Sequence, residues 1–109
     1  KKGGLKALAI ILILHFSGLT LCALPTGESV ETGSAAFERP DAATLNIKAS
    51  NGTVINFDDF SIAPNEIVNF SSLDPFLSSN TNVLSRVIGA NVSTISGILQ
   101  ASLNLFLVN

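Results

Sequence analysis

In the run TLNIKA, Leu45, Ile47 and Ala49 alternate with Asn46 and Lys48, so an extended chain has one apolar and one polar side. The same period of two returns in TVINF with Ile55 and Phe57, in IVNF with Val68 and Phe70, and in LNLFLVN with Leu105 and Leu107. A helix repeats roughly every 3.6 residues and would scatter these side chains around its circumference. Turn chemistry separates the runs. Ser50-Asn51-Gly52 offers Asn-Gly for a positive φ, and Pro64 lies in the turn sequence APNE. Segment 71–82 is polar, carries Pro75, and reads as a loop with a small apolar anchor at Phe76 and Leu77. Strands are predicted at 45–49, 53–57, 67–70, 83–88, 93–101 and 104–108. Short strands between such turns make an all-β domain.

The alternation changes phase inside one of these runs. Ile55 and Phe57 occupy odd positions, Phe60 and Ile62 even ones, and Asp58-Asp59 lies between them. A shift of one residue reverses every side chain, so the two acids mark an extra residue or a corner. Adjacent carboxylates on a strand point to opposite faces and cannot share a proton there. They are therefore expected to shape a bend rather than to form a catalytic pair, with Asp59 hydrogen-bonding backbone amides at the corner. The predicted core is Leu45, Ile47, Ile55, Phe57, Phe60, Ile62, Val68, Phe70, Ile95, Leu99, Leu105 and Leu107.

The first 23 residues follow another logic. Lys1, Lys2 and Lys6 precede an apolar run from Ala7 to Leu14 and a less regular tail. This is the layout of an export leader, and the run is short of the about 20 residues that span a bilayer. Residues 1–23 are expected to form a signal-peptide helix, cut after Ala23 although Leu21 is large for such a site. A lipid-modified Cys22 and a retained anchor are the lesser alternatives.

The single cysteine, Cys22, and the single histidine, His15, both fall in this leader. Its removal leaves no disulfide, no thiol nucleophile, no His-based triad and no thiolate or imidazole metal ligand, so neither enzyme nor cofactor chemistry is expected. From Glu28 onward all eight acids face only Arg39, Lys48 and Arg86. Such a chain is a poor nucleic-acid binder, because phosphate contacts need clustered cations. Arg86 falls in a strand and is read either as the partner of an acid such as Asp58 or Glu66, or as a contact to another protein. The Asn-x-Ser/Thr triplets at Asn51, Asn69 and Asn91 match glycan acceptors formally but read as turn or strand residues.

Two all-β forms remain open on these grounds: a sandwich, and a solenoid in which successive turns of chain stack. Abundant asparagine favours the solenoid. The blocks LPTGESVETGSAAF, LNIKASNGTVINFDDFSI, NEIVNF, VLSRVIGANVSTISGILQA and LFLVN resemble, in order, the secretion domain of filamentous haemagglutinin-type exoproteins of two-partner secretion. Asn56-Phe57 with Phe60 matches that family's Asn-aromatic step. Leu84, Arg86, Val87 and Gly89 match its Leu-x-Arg-Val…Gly step, and Ser93, Ile95 and Gly97 its Ser-x-Ile-x-Gly step. Two departures stand out: Ser102-Leu103 replaces the family's Asn-Gly, and Asn109 is the first residue of an Asn-Pro-Asn-Gly continuation.

The resemblance implies a right-handed parallel β-helix, a single-stranded solenoid with N-terminal capping strands. Residues 24–109 would be the front of a secretion domain, incomplete at its C-terminal end. It implies a non-enzymatic targeting module of a haemagglutinin-like adhesin, secreted or displayed on the bacterial surface. Its reader would be an outer-membrane transporter, through periplasmic polypeptide-transport-associated domains. Host contact would fall to repeats further downstream. Asn56, Phe57, Phe60, Arg86, Gly89, Ser93, Gly97 and Asn109 are the motif positions expected to serve recognition or the fold it needs. The alternative is a self-standing surface adhesin that binds host glycan or protein through polar loops around 78–82.

Overall fold

The computed structural model describes residues 23–109, so the leader apart from Ala23, with His15 and Cys22, lies outside the described residues. Eight strands follow in order: β1 (Ser29–Thr32), β2 (Ala35–Asp41), β3 (Thr44–Ala49), β4 (Thr53–Phe57), β5 (Ile67–Ser72), β6 (Asn82–Val87), β7 (Ile98–Ala101) and β8 (Asn104–Val108). They form two four-stranded sheets, ordered β1-β4-β6-β8 and β2-β3-β5-β7. Each pass of the chain therefore lays one strand in each sheet.

Successive passes stack in parallel and in register. Thr44 pairs with Ile67 and Ile67 with Ile98 in one sheet, and Thr53 pairs with Val83 and Val83 with Leu105 in the other. A hairpin sandwich would be antiparallel throughout, so the solenoid alternative is the one that matches this pairing. Register stacks several asparagines. Asn69 Nδ2 donates to Asn46 Oδ1 at 2.8 Å, 23 residues away in sequence. At the turn edge Asn82 N–H donates to Asn51 Oδ1 at 2.8 Å, and Asn104 Nδ2 to Asn82 Oδ1 at 3.1 Å. Five of the ten asparagines in residues 23–109 take part in these stacked contacts.

The core lies between the sheets. Leu45, Ile47, Ile55, Phe57, Phe60, Ile62, Val68 and Phe70 are all buried, as the alternation requires. The rings pack in sequence, Phe57 edge-on to Phe60 with centroids 5.1 Å apart, and Phe60 stacked on Phe70 at 6.3 Å. Each buried phenylalanine contributes about 1.5–3 kcal/mol. Leu99, Leu105 and Leu107 are only partly buried, because no further pass covers them among the described residues.

The first two strands reverse the direction. β1 runs antiparallel to β4 and β2 antiparallel to β3, so the chain closes one end of the stack before the parallel passes begin. Gly33 makes the turn between them with φ +89, and a Cβ there would meet Thr53 Oγ1. The Ser34 amide donates to Ser50 Oγ at 3.1 Å and Thr53 Oγ1 at 3.2 Å, which fastens the cap to the β3–β4 turn. Glu31, Glu38, Arg39 and Pro40 line these outer strands, a composition that discourages further pairing at the edge.

Three expectations need correction. Residues 93–97 are not strand: a single bridge joins Ile95 to Ile62, and β7 starts at Ile98. Gly97 turns the chain there, and Ile95 stays 43% exposed because it covers Ile62 with nothing in turn covering it. Strand β6 ends at Val87, leaving Ile88 exposed. Finally, Phe76 and Leu77 do not anchor their loop. They sit in a 3-10 helix (Pro75–Asn80) with Phe76 95% exposed. The loop is held by polar groups instead, with the Asp74 carboxylate accepting from the Phe76 amide and a buried contact between the Ser72 and Thr81 hydroxyls at 2.8 Å.

Candidate partner-recognition surface

The motif residues separate into three physical groups. Phe57 and Phe60 are fully buried, so in the folded domain they hold the core and touch nothing outside. Their spacing follows from the corner between them. Asp58 is exposed in a bend, and Asp59 is half-buried in a bridge to Thr26. The Thr26 amide donates to the Asp59 carbonyl at 3.0 Å, and the Asp58 amide to the Thr26 carbonyl at 3.0 Å. Asp59 Oδ1 accepts from the Ser61 hydroxyl at 3.1 Å, where backbone amides had been expected. The Asp58 and Asp59 amides both donate to the Thr26 carbonyl instead.

Gly89 and Gly97 are positions of close approach. A Cβ on Gly89 would stand 2.0 Å from the Asp58 carbonyl oxygen. One on Gly97 would stand 2.4 Å from both the Ala63 and Glu66 carbonyl oxygens. Each glycine lets one pass of chain lie directly on the corner of the pass before it. The motif glycines thus set the stacking distance.

The third group is exposed or half-exposed. Asn56 and Arg86 are register partners on the outward side of β4 and β6. Arg86 Nε donates to Asn56 Oδ1 at 3.0 Å, and Asn56 Nδ2 donates to Glu31 Oε1 at 2.8 Å. Arg86 Nη2 also stands 3.9 Å from Glu31 Oε1. The acid beside Arg86 is therefore Glu31, not Asp58 or Glu66. Antiparallel β1 brings Glu31 alongside β4, which the spacing of residues in the sequence could not reveal. Ser93 and Asn109 also meet, with the Ser93 hydroxyl donating to Asn109 Oδ1 at 2.8 Å. Asn51 lies in a turn, Asn69 in β5 and Asn91 in a bend, as their triplets were read.

A family model, the TPS secretion domain of two-partner secretion, matches residues 24–109. The chain belongs to this family. The secretion domain is also similar to the HMW1 secretion domain from Haemophilus influenzae, a crystal structure with 30% sequence identity and a TM-score of 0.70. The match covers 78% of this chain and 22% of that one. No curated protein matches the chain. Membership supplies the coarse role, an exported module of two-partner secretion.

On this secretion domain a second outward feature escaped the sequence reading. Val54, Leu84 and Phe106 stand in register across β4, β6 and β8, and Phe106 is 57% exposed. They form an apolar row beside the polar row of Glu31, Asn56 and Arg86. A shallow groove follows it, lined by Gly52, Val54, Asn82, Leu84 and Phe106. The alternation that marked Ile55 and Phe57 as core made Val54 look like an ordinary outward residue. Only parallel register stacks it with Leu84 and Phe106. Among the described residues no group of three or more His, Cys, Asp or Glu is placed to hold a metal ion.

Proposed function

We propose that this domain is the targeting module of a haemagglutinin-like exoprotein, read by a dedicated outer-membrane transporter through that transporter's periplasmic domains. The chain would reach the transporter behind an export leader formed by residues 1–23. While still extended, its alternating strands can add to an edge of a partner sheet, backbone to backbone. Once across the membrane, the same strands stack as a right-handed parallel β-helix and template whatever chain follows. Its task is recognition and folding direction, with no catalytic step.

The observation that carries this reading is the closed end of the stack. It is shut by antiparallel β1 and β2, with charged and proline residues on their outer side. Parallel passes can then be added only on the side away from this cap, which would supply directionality without a nucleotide-driven step. In the folded domain, the Glu31–Asn56–Arg86 row with Val54, Leu84 and Phe106 beside it is the surface open to a partner.

The test is capture of the exported chain by the periplasmic domains of the transporter encoded beside it, together with export of a reporter fused after Asn109. Binding, and transporter-dependent export, support the reading. Free release without the transporter, or no binding by the unfolded or the folded chain, would overturn it.

A further inference from the structure

Glu66 is a buried carboxylate that strand stacking does not require. It follows the turn at Pro64 and Asn65 and is 4% exposed. Both of its oxygens face backbone amides. Ala63 N–H donates to Oε1 at 2.8 Å, and Ala23 N–H donates to Oε2 at 3.1 Å. A carboxylate removed from water is costly unless opposite charge or several strong donors hold it. Among the described residues the ion pairs are Arg39 with Glu28 and Arg86 with Glu31, and neither reaches Glu66.

The nitrogen of Ala23 is held at Glu66 by fixed backbone. Leu24 and Pro25 are buried directly after it. The Pro25 carbonyl accepts from Arg39 Nη2 at 2.8 Å, and the Thr26 amide donates to the Asp59 carbonyl at 3.0 Å. The first residues of the domain are therefore pinned at several points, with Ala23 nitrogen aimed at the carboxylate.

Position 23 is also where the leader gives way to the domain. Leader cuts need small residues in the last and third-last positions before the break. A cut after Ala23 puts Leu21 in the third-last position. A cut after Cys22 puts Thr20 there and Cys22 last, and both are small. We propose that the leader is removed between Cys22 and Ala23, and that the freed α-ammonium of Ala23 ion-pairs with the buried Glu66. The inference rests on the leader reading and moves the cut by one residue from the position expected above.

The chemistry is hydrolysis of one peptide bond. The oxygen of water bonds to the Cys22 carbonyl carbon as the C–N bond breaks, and that carbon becomes a carboxylate. Both water protons end on the Ala23 nitrogen, which becomes an ammonium. The neutral hydrogen bond to Glu66 is thereby converted to a charge-assisted one, shorter and stronger. Before the cut the same nitrogen has one N–H and no charge. Processing thus fastens the first residues of the domain to the turn at 63–66, on which Gly97 and Ile98 of the next pass are stacked.

The experiment exports the whole chain, behind an initiator Met, in a bacterial host and reads the product's N-terminus by sequencing and intact mass. A start at Ala23 supports the proposal. A start at Leu24 or elsewhere downstream overturns it and leaves the leader reading standing. A product that retains residues 1–22 overturns both. A second measurement reads the ion pair. Glu66→Gln in the processed chain lowers Tm by roughly 4–8 °C. Acetylation of the α-amine at near-neutral pH, where that amine reacts ahead of lysine, lowers the Tm of the native sequence but not that of Glu66→Gln. Equal shifts in the two proteins would refute the ion pair, whatever the cut site.

Discussion

Replacing Phe60 by alanine removes the central ring of a three-ring stack. Phe60 has no solvent exposure, meets Phe57 edge-on at 5.1 Å and lies on Phe70 at 6.3 Å. Truncating a buried phenylalanine costs about 3–5 kcal/mol, counting both lost burial and the cavity left behind. The two ring contacts, worth about 0.5–1.5 kcal/mol each beyond area, favour the upper part of that range. A domain of this size has about 5–15 kcal/mol of stability in total, so Phe60→Ala should leave it close to unfolding. The Tm should fall by roughly 12 °C or more. Phe60→Leu, which keeps much of the volume, should lie between the two. The control is Asp58→Asn, two residues away. Asp58 is exposed, so this change should stay within about 0.5 kcal/mol. Thermal melts and urea titrations of the mature chain, with export of a reporter fusion alongside, measure all three. The core reasoning fails if Phe60→Ala melts within roughly 3 °C of the native sequence. The bend reading fails if Asp58→Asn abolishes a defined activity while its melt is unchanged.

Gly89→Ala and Gly97→Ala should each cost about 1–3 kcal/mol, since the added Cβ meets backbone carbonyl oxygens that cannot swing aside. Urea midpoints near the native value for both would contradict the stacking distances. Among the described residues the buried Ser85 hydroxyl has no hydrogen-bond partner, so Ser85→Ala should leave the Tm unchanged or raise it, and a clear fall would mean the hydroxyl is satisfied in solution. Arg86→Ala removes the 3.0 Å hydrogen bond to Asn56 and the 3.9 Å contact to Glu31, both between half-exposed groups, and should cost about 1 kcal/mol, of which the ionic part shrinks in high salt. If this mutation abolishes transporter binding while the melt is preserved, the outward row is the recognition surface. Phe76→Ser should not lower stability, because the ring is 95% exposed; a drop of several degrees in the melt would show that it packs in solution.

Much of the core was legible because burial in a strand obeys a strict period. Leu45, Ile47, Ile55, Phe57, Val68 and Phe70 could be assigned inward from alternation alone. The reversal at Asp58-Asp59 located the corner, since an unbroken strand keeps its inward residues on one parity. The same logic failed at 93–101, where Ser93, Ile95, Leu99 and Ala101 mimic one continuous face although Gly97 breaks it. It also passed over β1 and β2. Their signal, Val30 and Phe37 around a Thr-Gly-Ser turn, is diluted by exposed charges that belong to a capping edge.

For the candidate surface, residue type and order carried the family motifs but not their partners. Asn56 and Arg86 meet across 30 residues of sequence, Asn69 and Asn46 across 23, and Ala23 and Glu66 across 43. Local pattern encodes which side of a strand faces inward, because that depends only on the chain's own pleat and on the hydrophobic effect. It does not encode which residue lies above which. That depends on how many residues each turn consumes, and the loop at 73–81 lengthens one pass without disturbing the alternation on either side. The apolar row of Val54, Leu84 and Phe106, the pairing of Arg86 with Glu31 and the closeness of Gly89 to Asp58 all arise from that stacking. They exist only once backbone hydrogen bonds between passes have set the register.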